Sequence, residues 1–269
     1  MITAGIDMGS RSIKVVLLEE IKVEGAPQLQ YAVKKAYMML PGELDADEAA
    51  EKAYNEALQA AGLKREDVAA VYVTGAGRSQ VKFATEGVTE MTAGARGANY
   101  MFPEVRTVVD VGAEEGRGVK VDAAGKAVDF AGNEKCAAGA GSFAEAMSRA
   151  LQMTLKEFGE ASLRSDKTIP MNAQCTVFAE SEVVSLIHAS TPSQDIAKAV
   201  LDAVASRICA MVRRVGIEES IVLIGGMAHS AGFVDALKKA LDVEKILLPE
   251  MPESISALGC ALLAAERQH

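Results

Sequence analysis

The stretch Gly5-Ile-Asp-Met-Gly-Ser-Arg-Ser12 lies within an apolar segment, residues 2–18. The pattern of apolar residues predicts a strand, a tight glycine turn and a returning strand. Asp7 would then stand at the end of the first strand, where a carboxylate can orient Mg²⁺ or an attacking water. Glycine lets backbone N–H groups approach phosphate oxygens, and Ser10 and Ser12 add donors. The stretch therefore predicts a phosphate-binding turn, with an ordinary β-hairpin as the alternative.

The same pattern returns in the middle of the chain. Thr107-Val-Val-Asp-Val-Gly112 is again a strand with an aspartate, one further residue and a glycine, and further strands are predicted at 119–122 and 127–130. This internal repeat places a domain boundary near Pro103. Strands alternate with helices along the chain, which predicts an α/β fold with mixed or parallel sheets.

A third glycine-rich stretch, Ile224-Gly-Gly-Met-Ala-His-Ser-Ala-Gly232, follows a buried strand and precedes a helix. Backbone in such a turn can pass closely under a base or ribose, although a plain strand-to-helix turn is the alternative. Together, at roughly even spacing, the three stretches are more specific than any one. They resemble the phosphate-1, phosphate-2 and adenosine motifs of the actin, hexokinase and Hsp70 superfamily.

This resemblance implies two actin-like (ribonuclease H-like) ATPase domains with the nucleotide in the cleft between them. It places the first lobe at residues 1–103, with the C-terminal helix, about 254–269, packed back on it, and the second lobe at 104–253. Asp7 and Asp110 are the implied catalytic residues, which handle the metal and the water. The implied nucleotide-binding residues are Gly9, Ser10, Arg11, Ser12, Lys14, Gly112, Gly225 and Gly226.

Composition argues against several classes of protein. The 269 residues carry a formal net charge of -9 without clusters of Lys and Arg, so we expect no nucleic-acid binding. No apolar run reaches the ~18 residues that a membrane span needs. The N-terminus lacks the basic region and long apolar stretch of a secretory signal. We therefore expect a cytoplasmic protein whose cysteines bind metal or are buried rather than forming disulfides.

The four cysteines fall into two groups. Cys209 lies in a long predicted helix and Cys260 in the apolar last helix, so both are expected to be small core residues. Cys136 and Cys175 each stand in a glycine-rich or polar turn ahead of a predicted helix, a position that lowers the pKa of a thiol and stabilises negative charge. An iron–sulfur cluster needs four such ligands, so we expect two chains to share one cluster.

The motifs around these two cysteines carry a closer resemblance. Asn133-Glu-Lys-Cys-Ala-Ala-Gly-Ala-Gly141 and Cys175-Thr-Val-Phe-Ala-Glu-Ser-Glu182 are similar to the paired cysteine motifs of the ATP-dependent activator family. This family includes activators of 2-hydroxyacyl-CoA dehydratases and the ATP-binding subunits of benzoyl-CoA reductase. The resemblance covers essentially the whole chain. It implies an ATPase with one [4Fe–4S] cluster between two subunits, ligated in this chain by Cys136 and Cys175.

Two departures from the homodimeric activators are similar to the smaller ATP-binding subunit of class I benzoyl-CoA reductase. This chain has Gly112-Ala-Glu-Glu-Gly116 where activators usually carry Gly-Gly-Gln-Asp, and Ala140 where the cysteine loop often has threonine. The resemblance thus implies the ATP-hydrolysing, electron-transfer subunit of a ferredoxin-linked, dearomatising benzoyl-CoA reductase in anaerobic aromatic degradation. The alternatives are a homodimeric dehydratase activator, a sugar or acid kinase of the same superfamily, and a non-catalytic actin-like scaffold.

The same resemblance implies the cofactors and the partners. The cofactors are a shared [4Fe–4S] cluster, ATP and Mg²⁺. The partners are a sister ATPase subunit or a second copy of the chain, catalytic reductase or dehydratase subunits, and a ferredoxin-type electron donor.

Overall fold

The structure is a computed structural model that describes residues 1–21, 30–132, 141–171 and 176–269, with side chains described from residue 179 in the last range. The strands are β1 (Ile2–Met8), β2 (Ile13–Ile21), β3 (Gln30–Met39), β4 (Val68–Thr74), β5 (Glu86–Gly87), β6 (Thr107–Val111), β7 (Gly116–Val121), β8 (Ala127–Gly132) and β9 (Ile221–Ile224). The helices are α1 (Ala46–Ala61), α2 (Glu90–Met101), α3 (Gly141–Ala150), α4 (Leu155–Ser162), α5 (Thr176–His188), α6 (Ser193–Val215), α7 (Ala231–Leu241) and α8 (Ile255–Glu266).

The chain forms two compact units. The first comprises Met1–Glu104, Asp122–Ala127 and Glu253–His269, and the second comprises Val105–Val121 and Val128–Pro252. The range 104–253 expected for the second lobe differs from the second unit mainly at Asp122–Ala127, which packs with the first. The α/β class with mixed sheets, predicted from the sequence, is confirmed.

The first unit is built on a five-stranded sheet in the order β3-β2-β1-β4-β5. Strand β1 pairs antiparallel with β2 and parallel with β4, so it is central and buried on both faces. Helix α1 buries an alanine-rich face against the sheet. Asp45 caps its first turn by accepting from Glu48 N, and Gly62 ends it in the left-handed conformation (φ 67°), as expected for a C-terminal cap.

Helix α8, the last of the chain, packs on β1 and on α2. It is buried almost throughout, and the hydroxyl of Thr3 in β1 donates to Ala261 O at 2.8 Å. Glycines permit both contacts. A Cβ at Gly5 would lie 1.9 Å from Ala257 O, and one at Gly259 would lie 1.8 Å from Ala93 O in α2. Helix α8 is therefore part of the core of the first unit.

The second unit repeats the strand order of the first. Its four-stranded sheet has the order β8-β7-β6-β9, with β6 antiparallel to β7 and parallel to β9. Helix α6 supplies much of the core, with buried residues along nearly its whole length. Across the described helices, none is long and apolar enough to cross a membrane.

Replacing Gly259 with alanine should lower the free energy of unfolding by about 2–3 kcal/mol, because α2 or α8 must shift to admit the added methyl group. Urea unfolding measures this change. Gly87→Ala is the matched control, since no atom lies within 4 Å of its added carbon. Equal stability of the two variants would show that α2 and α8 do not pack as closely as described.

Candidate functional site

An aspartate stands near the end of the central strand in each unit. Asp7 is the penultimate residue of β1, and Asp110 is the penultimate residue of β6. Each central strand then returns through a turn of the same length, residues 9–12 or 112–115, to its antiparallel neighbour. Each central strand also has a parallel neighbour, so its aspartate lies at the carboxyl ends of parallel strands, where α/β proteins bind ligands.

Both aspartates form an ion pair with the residue opposite on the antiparallel strand. Lys14 Nζ lies 3.2 Å from Asp7 Oδ2, and Arg117 Nη1 lies 3.4 Å from Asp110 Oδ2. All four side chains are 13–18% exposed, so solvent screens these pairs less than surface pairs. Sequence reasoning did not identify Arg117. The available signal was spacing, because acid and base are seven residues apart in both units.

The first turn, residues 9–12, packs against the side chain of Lys14. Lys14 Nζ donates to Ser12 O at 3.3 Å, and a Cβ at Gly9 would lie 2.9 Å from the same nitrogen. Ser10 and Arg11 are exposed at the tip of the turn. The structure thus brings the predicted residues of this turn together around Asp7. Their contacts with phosphate stay a prediction.

The second turn is more acidic and is joined to a helix. Arg117 forms a second ion pair with Glu115, so the guanidinium joins that carboxylate to Asp110. Gly112 O accepts from Gly141 N at 2.9 Å, and Ala113 O accepts from Ser142 N at 2.8 Å. These two hydrogen bonds attach the turn to the first two residues of α3.

The third predicted stretch begins where β9 ends. Gly225 has a left-handed backbone (φ 87°), and its N–H donates to Pro252 O at 2.9 Å. No atom lies within 4 Å of a Cβ built on Gly226, so its backbone is open to approach. The arrangement allows a ligand close to the main chain at Gly226, and the adenosine role of this stretch stays a prediction.

The predicted cluster ligands, Cys136 and Cys175, lie outside the described residues. Cys175 directly precedes α5, and Cys136 precedes α3 by five residues. The other two cysteines are buried: Cys209 Sγ donates to Ala240 O at 3.0 Å, and Cys260 is fully enclosed. Within the described ranges, no group of three or more His, Cys, Asp or Glu residues could hold a metal ion.

The comparisons with known proteins agree with this geometry. The model of the BadF/BadG/BcrA/BcrD ATPase family matches residues 4–264. The chain belongs to this family. An activator of lactoyl-CoA dehydratase from Anaerotignum propionicum is 36% identical over 267 residues, covering 99% of the chain and 98% of the relative. One of the benzoyl-CoA reductase subunits from Thauera aromatica is 34% identical and covers 99% of the chain and 94% of the relative.

Solved structures of two family members have the same fold. The activator of 2-hydroxyisocaproyl-CoA dehydratase from Clostridium difficile, with bound ADPNP, aligns with a TM-score of 0.88 at 32% identity, covering 99% of this chain and 95% of that one. Component A of (R)-2-hydroxyglutaryl-CoA dehydratase from Acidaminococcus fermentans aligns with a TM-score of 0.89 at 32% identity, covering 99% and 98%. The predicted family and the actin-like α/β fold are thereby confirmed.

Iodoacetamide at about pH 8 should leave Cys260 unmodified in the folded protein. Burial, with a further contribution from the charge of Asp7, raises the pKa of its thiol well above the usual value, so the reactive thiolate is scarce. Peptide mass spectrometry after labelling, with and without urea, measures the difference. Equal labelling in both conditions would contradict the enclosed position of Cys260 beneath β1.

Proposed function

We propose that this protein is an ATP-hydrolysing activator of a 2-hydroxyacyl-CoA dehydratase, which delivers single low-potential electrons to the dehydratase. The two units would be its two ATPase lobes. The Anaerotignum propionicum relative and the Clostridium difficile structure are dehydratase activators, and the Acidaminococcus fermentans structure is component A of a dehydratase. The Clostridium difficile structure holds ADPNP. We therefore prefer this assignment to the benzoyl-CoA reductase assignment that the sequence alone favoured.

The main support for the proposal is the pair of hydrogen bonds that attach α3 to the second turn, residues 112–115. Gly141 and Ser142 begin the helix that follows the Cys136 segment, and their N–H groups bond directly to Gly112 and Ala113. A change of backbone position in this turn therefore moves the start of α3. An activator needs such a connection between its nucleotide and its redox centre, whereas a kinase that uses its cysteines only for packing does not.

The charge of the second turn is compatible with nucleotide binding. Glu115 replaces the aspartate usual in the activators, and its charge is offset by Arg117, which also neutralises part of Asp110. The pairing of Glu115 with Arg117 thus weakens the electrostatic reason to prefer the reductase. The reductase assignment remains the second candidate, because the Thauera aromatica reductase protein is 34% identical to this chain.

These residues have the following roles in the proposed ATP hydrolysis. Asp7 and Asp110 provide hard carboxylate oxygens of the kind that Mg²⁺ prefers, so they would hold the metal and orient the attacking water. The water would attack the γ-phosphorus as the bond to the bridging oxygen of ADP breaks; one of its protons stays on the phosphate, the other passes to solvent, and ADP and phosphate leave. Lys14 and Arg117 hold the two carboxylates in place, while backbone N–H groups of the turns bind phosphate oxygens.

The cysteines fit a cluster shared between subunits. Cys209 and Cys260 are buried in separate cores, which supports Cys136 and Cys175 as the thiolate ligands in our proposal. A [4Fe–4S] cluster held by these two residues and by two cysteines of a second subunit would supply one-electron transfer at low potential. The second subunit is a copy of the chain in an activator and a sister chain in a reductase.

Changing Cys136 or Cys175 to serine should remove the iron while leaving the affinity for ADP within about threefold of that of the unmodified protein, because nucleotide and cluster use different residues. Iron analysis and ADP titration on protein purified without oxygen measure both. Cys209→Ser is the control and should keep its iron. A full iron load in either ligand variant would refute the assignment.

Asp110→Asn and Asp7→Asn should each lower kcat for ATP hydrolysis by at least about 100-fold, because the amide neither binds Mg²⁺ well nor orients the water as the carboxylate does. The iron content should not change. Asp166→Asn, at an exposed position beside Lys167, is the control and should hydrolyse ATP normally. Unchanged turnover in both site variants would refute the proposed function.

A further inference from the structure

A glycine without an assigned role packs against the carboxylate of Asp7. Gly75 follows Thr74, the residue of β4 that is paired with Asp7, and has a left-handed backbone (φ 93°). A Cβ on Gly75 would lie 2.4 Å from Met8 O and 2.7 Å from Asp7 Oδ1. The N–H of Gly77 donates to Met8 O at 3.1 Å, which ties the turn to the end of β1. There is therefore no room for a side chain at Gly75 beside this carboxylate oxygen.

The second unit contains the same contact. Gly225 follows Ile224, the residue of β9 that is paired with Asp110, and again has a left-handed backbone (φ 87°). A Cβ on Gly225 would lie 2.4 Å from Val111 O and 2.9 Å from Asp110 Oδ1. The two units thus repeat the contact to within a few tenths of an ångström.

Each carboxylate is consequently held from two sides. On the Oδ1 side the glycine leaves no room for a Cβ, while the cation of the antiparallel strand, Lys14 or Arg117, binds Oδ2. Two other left-handed glycines lack such close neighbours. Gly62 and Gly216 have φ of 67° and 80°, and no atom lies within 4 Å of a Cβ built on either. The close approach at Gly75 and Gly225 is therefore a separate requirement from their backbone conformation.

We propose that Gly75 and Gly225 are equivalent positioning residues, which fix the carboxylates of Asp7 and Asp110 in the orientation that ATP hydrolysis needs. This inference rests on the proposed function of the two aspartates. Gly225 would then act on the reaction through Asp110, in addition to any contact of this stretch with the nucleoside. The turn that follows β4 becomes part of the site of the first unit.

The test compares Gly75→Ala and Gly225→Ala with Gly62→Ala and Gly216→Ala. All four changes strain a left-handed backbone, so all should lower Tm. Only the first two should lower kcat for ATP hydrolysis, by at least about 30-fold, because displacing a catalytic group by about 1 Å has effects of this size. The Kd of Gly75→Ala for ADP should stay within about threefold, because Gly75 is not among the predicted nucleotide-binding residues, and this separates positioning from loss of the fold.

Two further variants decide the question even if the site glycine variants do not fold. Asp7→Glu and Asp110→Glu keep the charge but lengthen the side chain. A carboxylate clamped between a glycine and a cation cannot accept the extra methylene, so both variants should be as inactive as the asparagine variants.

Recovery of most of the activity in the glutamate variants would overturn the inference. So would folded Gly75→Ala and Gly225→Ala proteins with the kcat of their controls. Full activity in Asp7→Asn and Asp110→Asn would instead refute the proposed function, and the positioning role with it. The two failures are therefore distinguishable.

Discussion

The ion pair between Asp7 and Lys14 joins the end of a central strand to the strand that returns from it, and Asp110 and Arg117 form the same pair in the second unit. A largely buried pair of this kind adds little net stability, because desolvation offsets the attraction. Removing one partner, however, leaves a charge uncompensated at a cost of about 3–5 kcal/mol. The main effect of these ion pairs is therefore to hold the two carboxylates in place, and they contribute little to the stability of the fold. In each unit a glycine turn and the parallel neighbour strand lie beside the aspartate.

Repetition of this arrangement gives one chain two acidic strand ends that differ in their surroundings. The first turn offers Ser10, Arg11 and Ser12, which suit contact with phosphate. In the second, Glu115 shares Arg117 with Asp110, and two backbone hydrogen bonds continue from the turn to α3. In our proposal the first turn mainly binds the nucleotide, and the second also transmits its state to the helix that follows Cys136.

Local pattern predicted the parts of the site that lie close together in sequence. The strand–turn–strand of β1 and β2 and its repeat in β6 and β7 could be read from alternating apolar residues and glycines. The role of Arg117 could have been read from its spacing of seven residues from Asp110, but that of Gly75 could not, because it depends on which residue the sheet register places beside Asp7. Gly75 is brought to Asp7 by a parallel pairing across more than sixty residues of chain, and no local pattern specifies that register. Residues 112–116 and Ala140 resembled the reductase subunit, whereas the similarity of the whole chain to dehydratase activators favoured the other assignment.

The most direct test of the proposed activator is the iron content and native mass of the chain, purified alone and without oxygen. A four-iron cluster shared by two copies predicts about two iron atoms per chain in a homodimer. An iron-free chain, or one that takes up iron only when a different sister chain is co-expressed, would contradict the account.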